Sequence, residues 1–466
     1  GSTAGTAITT GCCNVAIGGS ALAANTTGAY NTAVGYFSLT ALSTDGGNVP
    51  NNNTAFGSHS GQAATYGDKG TYIGAAAGTA VTTASNNTFV GALAGTATTT
   101  GANNTAVGAE ALDTNVLGSD SAALGYQALF TSNVADARNV AIGSLAGKLT
   151  NTGLQNVFVG YAAGTANTTG SNNVAAGSGA LISNTIGVSN ISIGKGSLAA
   201  NVDGSKSVAV GRGALNSQNF TTATDANNVA MGYFAGVSVT TGVRNVIMGG
   251  LAGDALTDAD DNVAIGTSAL TADTLGSRSV AIGKEALASQ NFTTATNSNN
   301  TAVGAFAGNA VTTGINNTFL GALAGDATDD SNSSTAVGAS ALSANCGSEN
   351  TACGKSALEP TTGQKNTALG AQAGVGITSG DNNIAIGTDS ARSTAPGGNI
   401  TTEDNRICLG DNNITHANIK VDWTVSSDQR DKTDFTALDI GLDFVKALNP
   451  VTYKWDERSN YGDKEA

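Results

Sequence analysis

The sequence predicts an all-β protein: a repetitive parallel β-roll or β-solenoid shaft over residues 1–412, packed or intertwined as a homotrimer, followed by a small α+β segment. Three observations predict it. A glycine closes a short apolar motif at near-constant spacing, an asparagine stands four residues before most of these glycines, and the composition suits thin stacked coils better than a globular core. Glycine is 63 of 466 residues, charged residues are 12% and aromatics 5%, against roughly 25% charged in ordinary globular domains.

The closing glycines run Gly18, Gly35, Gly57, Gly74, Gly91, Gly108 and onward to Gly387 and Gly410, most often 17 residues apart. Each ends a motif of the type Asn-(Thr/Val)-Ala-(Val/Ile)-Gly, as in Asn104 to Gly108. Thr105, Ala106 and Val107 alternate with period two, which predicts a short strand with two different faces. The small Ala in the middle slot predicts close backbone packing between chains about a common axis. The glycine predicts a tight corner with positive φ. Ala-Leu or Ala-Gly, as in Ala111-Leu112 and Ala94-Gly95, predicts a second short strand, and Thr99 to Gly101 a closing turn. Asn14, Asn31, Asn104, Asn139, Asn173, Asn245 and Asn317 would then stack as an asparagine ladder, their amides bonded up and down the shaft. One such coil cannot bury its own face, so stability has to come from stacking, and a rise of about 4.7 Å per coil makes the shaft on the order of 100 Å long.

A longer duplication overlies the short repeat. Residues 204–262 align with 276–334, and both contain Ser-Gln-Asn-Phe-Thr-Thr-Ala-Thr, at 217–224 and 289–296. These octapeptides read as an outward loop copied with its segment, or as binding loops whose candidate surface contacts are Phe220 and Phe292. The acidic stretches Asp254 to Asp261 and Asp326 to Asp330 read as solvated loops, because they lack the register of a Ca²⁺ loop.

Several functions are disfavoured. The net charge of −14, with no run among the 20 basic residues, argues against a nucleic-acid partner. His59 and His416 are the only histidines, and no Cys or His pair has zinc-ligand spacing, so no metal or other cofactor is indicated. Five cysteines, an odd number, make no disulfide framework; Cys353 and Cys408 occupy apolar slots and read as small buried hydrophobes. No apolar run approaches the roughly 18 residues of a membrane span. Paired carboxylates alone do not make a glycosidase without a groove lined by aromatics. A chain that begins at Gly1 reads as a fragment or processed product.

After Gly410 the composition changes. Residues 413–426 read as a connector. Leu438, Leu442, Val445 and Leu448 are at helical spacing until Asn449-Pro450, and Val451 to Trp455 alternates like a strand. Ser427-Asp428-Gln429-Arg430-Asp431-Lys432 together with Asn449-Pro450-Val451-Thr452-Tyr453-Lys454-Trp455 resembles the start of the intramolecular chaperone auto-processing domain that ends many phage tail fibres and endosialidase-type tailspikes. The resemblance covers residues 427–466. It implies a segment that assists trimerisation and then cuts itself off, with Ser427 as nucleophile, Lys432 as its base and the Ser426–Ser427 bond as the cleavage site. A serine hydroxyl needs such a base, and a partly desolvated lysine can serve. Ser427 as a plain turn cap is the alternative. The shaft repeats are similar to the trimeric head repeats of bacterial autotransporter adhesins, although the coils here are longer.

The expectation is therefore a homotrimeric tail-fibre-like protein of a virion, with no metabolic activity, whose partners are its own copies and a host cell-surface receptor or glycan. A bacterial trimeric surface adhesin is the alternative, located at the cell surface. A glycan-degrading tailspike and an ice-binding solenoid stand behind these.

Overall fold

A computed structural model describes residues 1–43, 49–393, 395, 398–418, 420 and 447–448. The chain divides into two units, Gly1–Ile414 and Thr415–Ala466.

The first unit is a parallel β-solenoid, as the repeat predicts. Among the described residues, one sheet of 23 three-residue strands runs from Val15–Ile17 to Ile407–Leu409, each strand pairing in parallel with that of the next coil. The register never slips: Val15, Ala16 and Ile17 face Thr32, Ala33 and Val34, and the same slots meet in later coils. Among the described residues of this unit there is no α-helix. Spacing differences are absorbed outside the strands. In the two duplicated coils the extra residues form small parallel pairs of their own, Gly204–Ser205 with Thr224–Asp225 and Gly276–Ser277 with Thr296–Asn297.

The closing glycines do adopt positive φ, +127° at Gly18 and +137° at Gly108. A second reason for glycine lies in the stacking. A Cβ on Gly108 would lie 2.5 Å from the carbonyl oxygen of Gly125 in the next coil, and one on Gly18 as close to Gly35. The strand has to end there because no other residue fits both the conformation and the approach.

Two expectations about the coil are corrected. Ala-Leu and Ala-Gly do not form a second strand. Positive φ recurs two and four residues after the closing glycine, as at Phe37 (56°) and Leu39 (46°), which breaks the extended run. The backbone still bonds to the next coil, Leu39 N–H to Ser60 O at 3.0 Å and Ala41 N–H to Gln62 O at 3.1 Å. The central Ala of each strand also does not face another chain. Ala33, Ala106 and Ala209 are fully buried inside their own coil, while the flanking strand residues point outward.

The interior keeps its volume by compensation. In coils centred on Ala33, Ala106 and Ala209, a fully buried Leu (Leu39, Leu112 and Leu215) reaches in from four residues after the glycine. Where the centre is large, that position becomes Gly. A Cβ on Gly95 would sit 2.5 Å from the Phe89 ring, and Gly164 and Gly325 stand likewise against Phe158 and Phe319. A large centre also needs Gly in the coil before it: Gly61 and Gly147, whose own strand centres are Ala55 and Ala141, stand against Tyr72 and Phe158 of the next coil.

Candidate functional surfaces

The asparagine column is present, with different partners from those expected. Asn156 accepts the Asn173 N–H on its Oδ1 at 2.9 Å and donates from Nδ2 to the Gly170 carbonyl at 2.9 Å. Asn31, Asn104 and Asn245 bond in the same way. Each side chain thus satisfies main-chain groups of the following coil, and amide-to-amide contacts such as Asn156 Nδ2 to Asn139 Oδ1 at 3.2 Å are secondary. Because main-chain groups buried without partners are costly, these asparagines are structural.

A second interior column escaped the sequence reading, although its signal is Asn three residues before a turn glycine. Asn184 and Asn201 each bond the carbonyl of the glycine three residues on, and Asn184 Nδ2 donates to Asn167 Oδ1 at 2.8 Å. The two columns cooperate. Where the first column has Ser207 and Ser279 in place of Asn, Gln218 and Gln290 reach across to those hydroxyls and accept from Asn228 and Asn300 on the next coil. In the second duplicate the counterpart of Asn201 is Asp273, fully buried. Its carboxylate accepts from Gly276 N–H, Phe292 N–H and Gln290 Nε2. Burial nonetheless pushes its pKa up, with those hydrogen bonds opposing.

Phe220 and Phe292 are not surface contacts. Each ring is only 6% exposed and folds over a glycine, so a Cβ on Gly204 or Gly276 would meet it at 2.7 or 2.8 Å. The neighbours Thr221, Thr222, Thr293 and Thr294 are the exposed ones. The extra residues bring the chain back beside the glycine, and the ring packs against it. Cys353 is likewise corrected. It occupies the outward third position of its strand and is exposed, whereas Cys346 and Cys408 are buried.

The acidic stretch Asp254 to Asp261 is occupied with intercoil bonds: Asp260 accepts the Val243 N–H at 2.8 Å, and Asp261 pairs with Arg244 at 2.6 Å. Arg244 and its hydrogen bond hold the Asp261 carboxyl below its usual range. Among the described residues no group of three His, Cys, Asp or Glu is placed to hold a metal ion, and no helix is long and apolar enough to cross a membrane.

The largest unexplained feature is the outer face of the sheet. The third residue of all 23 strands is apolar, from Ile17 to Leu409, counting Cys353. The first residue is always Thr, Val, Ile or Ala. No charge interrupts either row, and many of these side chains are left exposed, Phe56 at 58% and Leu369 at 51% among them.

Ser427 and Lys432, with the Ser426–Ser427 bond, the helix to Leu448 and the strand from Val451, lie outside the described residues apart from Ala447 and Leu448. Residues 427–466 match a family model described as chaperone of endosialidase. No curated protein matches the chain.

Proposed function

We propose that this chain forms the shaft of a homotrimeric, tail-fibre-like protein of a virion, which carries a surface for a host receptor or glycan, and that residues 427–466 assist its trimerisation and then cleave from it. The observation that carries the reading is the sequence match of residues 427–466 to the chaperone of endosialidase family, directly after a solenoid of 23 stacked strands. The physical motive is register. Successive coils expose nearly the same residues, so two chains displaced by one coil still place apolar rows on apolar rows. A unique nucleus at one end removes that degeneracy, and slow non-local assembly benefits from it.

For the cleavage, Ser427 Oγ attacks the carbonyl carbon of Ser426 while Lys432 takes the hydroxyl proton; the Ser426–Ser427 C–N bond breaks as Lys432 returns that proton to the Ser427 amine, and water then hydrolyses the Ser426 ester to a carboxylate, freeing the Ser427 hydroxyl. Ser427→Ala should then leave a full-length chain where the unaltered protein releases 427–466. A long, regular stack of coils, with no cleft lined by aromatics among the described residues, supports attachment better than turnover.

The test compares residues 1–466 with a chain ending at Ile414. Full-length protein is expected to give one species of three chains, and the shorter chain a broad mixture of aggregates. Soluble, uniform trimers from the shorter chain would contradict the proposed role of the C-terminal segment.

A further inference from the structure

We infer that the outward face of the sheet is the surface on which copies of this chain pack on each other, side by side and parallel, around a common axis. The inference rests on the trimeric reading above and names its interface.

Four features point to that occupant. The first is area. With 23 strands at about 4.8 Å and a width of three residues, near 10 Å, the face covers on the order of 1,000 Å², above the few hundred Å² of contiguous apolar surface usual on a monomer and similar to the roughly 800 Å² each partner gives a stable interface. The second is charge. Lys, Arg, Asp and Glu are absent from both outward rows of the 23 strands and stand just outside them, two residues before the strand at Lys206, Arg244 and Asp261 and directly after the closing glycine at Lys195 and Lys284. That segregation fits an interface core, where charged residues are depleted.

The third is period. The rows repeat once per coil with unbroken register, so a partner of any other axial repeat falls out of step within a few coils. A second copy matches along the whole length. The fourth is the sequence match at one end: chains joined through residues 427–466 run parallel, which brings equal slots level. Every strand between the first and the last is already paired on both sides, so association along the shaft uses side chains of the face rather than strand addition.

The unaltered protein contains its own reporter. Cys353 lies in the outward row, while Cys12 and Cys13 are exposed elsewhere. Full-length protein would be treated with iodoacetamide and each peptide followed by mass spectrometry, with assembly mass measured in parallel. Cys353 is expected to be alkylated at least about 10-fold more slowly than Cys12. A variant with Ile193→Lys and Leu320→Lys, both outward and exposed, is expected to fall to single chains, whereas Thr169→Lys with Thr313→Lys, exposed outside the sheet, stays assembled. Should the first variant fail to fold by circular dichroism, the Cys353 rate on the unaltered protein decides alone. Wild-type trimers in which Cys353 reacts as fast as Cys12 overturn this face and leave the trimer standing. Single chains in the wild type overturn the trimer itself.

Discussion

At the residue scale, the closing glycine is the strictest requirement. Its φ and the 2.5 Å approach to the next coil act together at Gly108, so Gly108→Ala should lower stability by about 2 kcal/mol or more in thermal unfolding. Asp273 is the other informative residue. Burial raises its pKa in the folded chain, so the folded state holds the proton more tightly than the unfolded one. Its contribution is therefore present at low pH and is lost as pH rises from the ordinary aspartate value through the raised one. Asp273→Asn, which restores the residue of the first duplicate, should raise the melting temperature at pH 7 by the equivalent of about 1 kcal/mol and lose that advantage below the ordinary aspartate range. An advantage that persists in acid would place the carboxylate elsewhere. These residues differ in legibility. Positive φ was readable at Gly18 or Gly108 because few residues other than Gly follow a strand so regularly, whereas the charge state of a buried carboxylate depends on its own turn and on Gln290 and Phe292 of the next coil.

At the element scale, the strand was legible to the residue. Period-two alternation over Thr105 to Val107 and the flanking Asn and Gly fix its ends. The turn after it was not, because Ala-Leu is compatible with an extended strand, whereas the coil takes positive φ at that slot whichever residue fills it, Leu112 or Gly95. The same limitation reversed the reading of the octapeptides. Phe220 in a polar insertion looks exposed in one dimension, but the insertion folds back over Gly204. Phe220→Ala should consequently destabilise the shaft, by about 3 kcal/mol, with a lower thermal midpoint even without any ligand. An unchanged midpoint together with lost cell attachment would return the ring to solvent. The asparagine columns show a middle case: their period was visible, but not that the amides serve main-chain groups.

At the scale of the whole molecule, the solenoid explains why so few aromatic and charged residues suffice. Each coil borrows its buried surface from two neighbours, so stability accumulates along the stack, and the meagre core of a single coil is no obstacle. What the stack does not cover is the uncharged outer face, which the sequence showed as a Thr/Val row and a Val/Ile row without saying which side of the strand was inward. Assigning Ala to the interior moves the proposed interchain contact from the small residues to the large ones. The candidate cleavage pair was legible only through resemblance, since Ser427 and Lys432 stand five residues apart in a segment whose chemistry depends on its fold.

The proposal that three chains make one fibre is tested most directly by the mass of purified full-length protein, measured by light scattering over a wide dilution range. Three times the 45.6 kDa chain mass, less any released C-terminal segments and constant on dilution, is the expected result. A stable particle of 45.6 kDa in dilute buffer would contradict it.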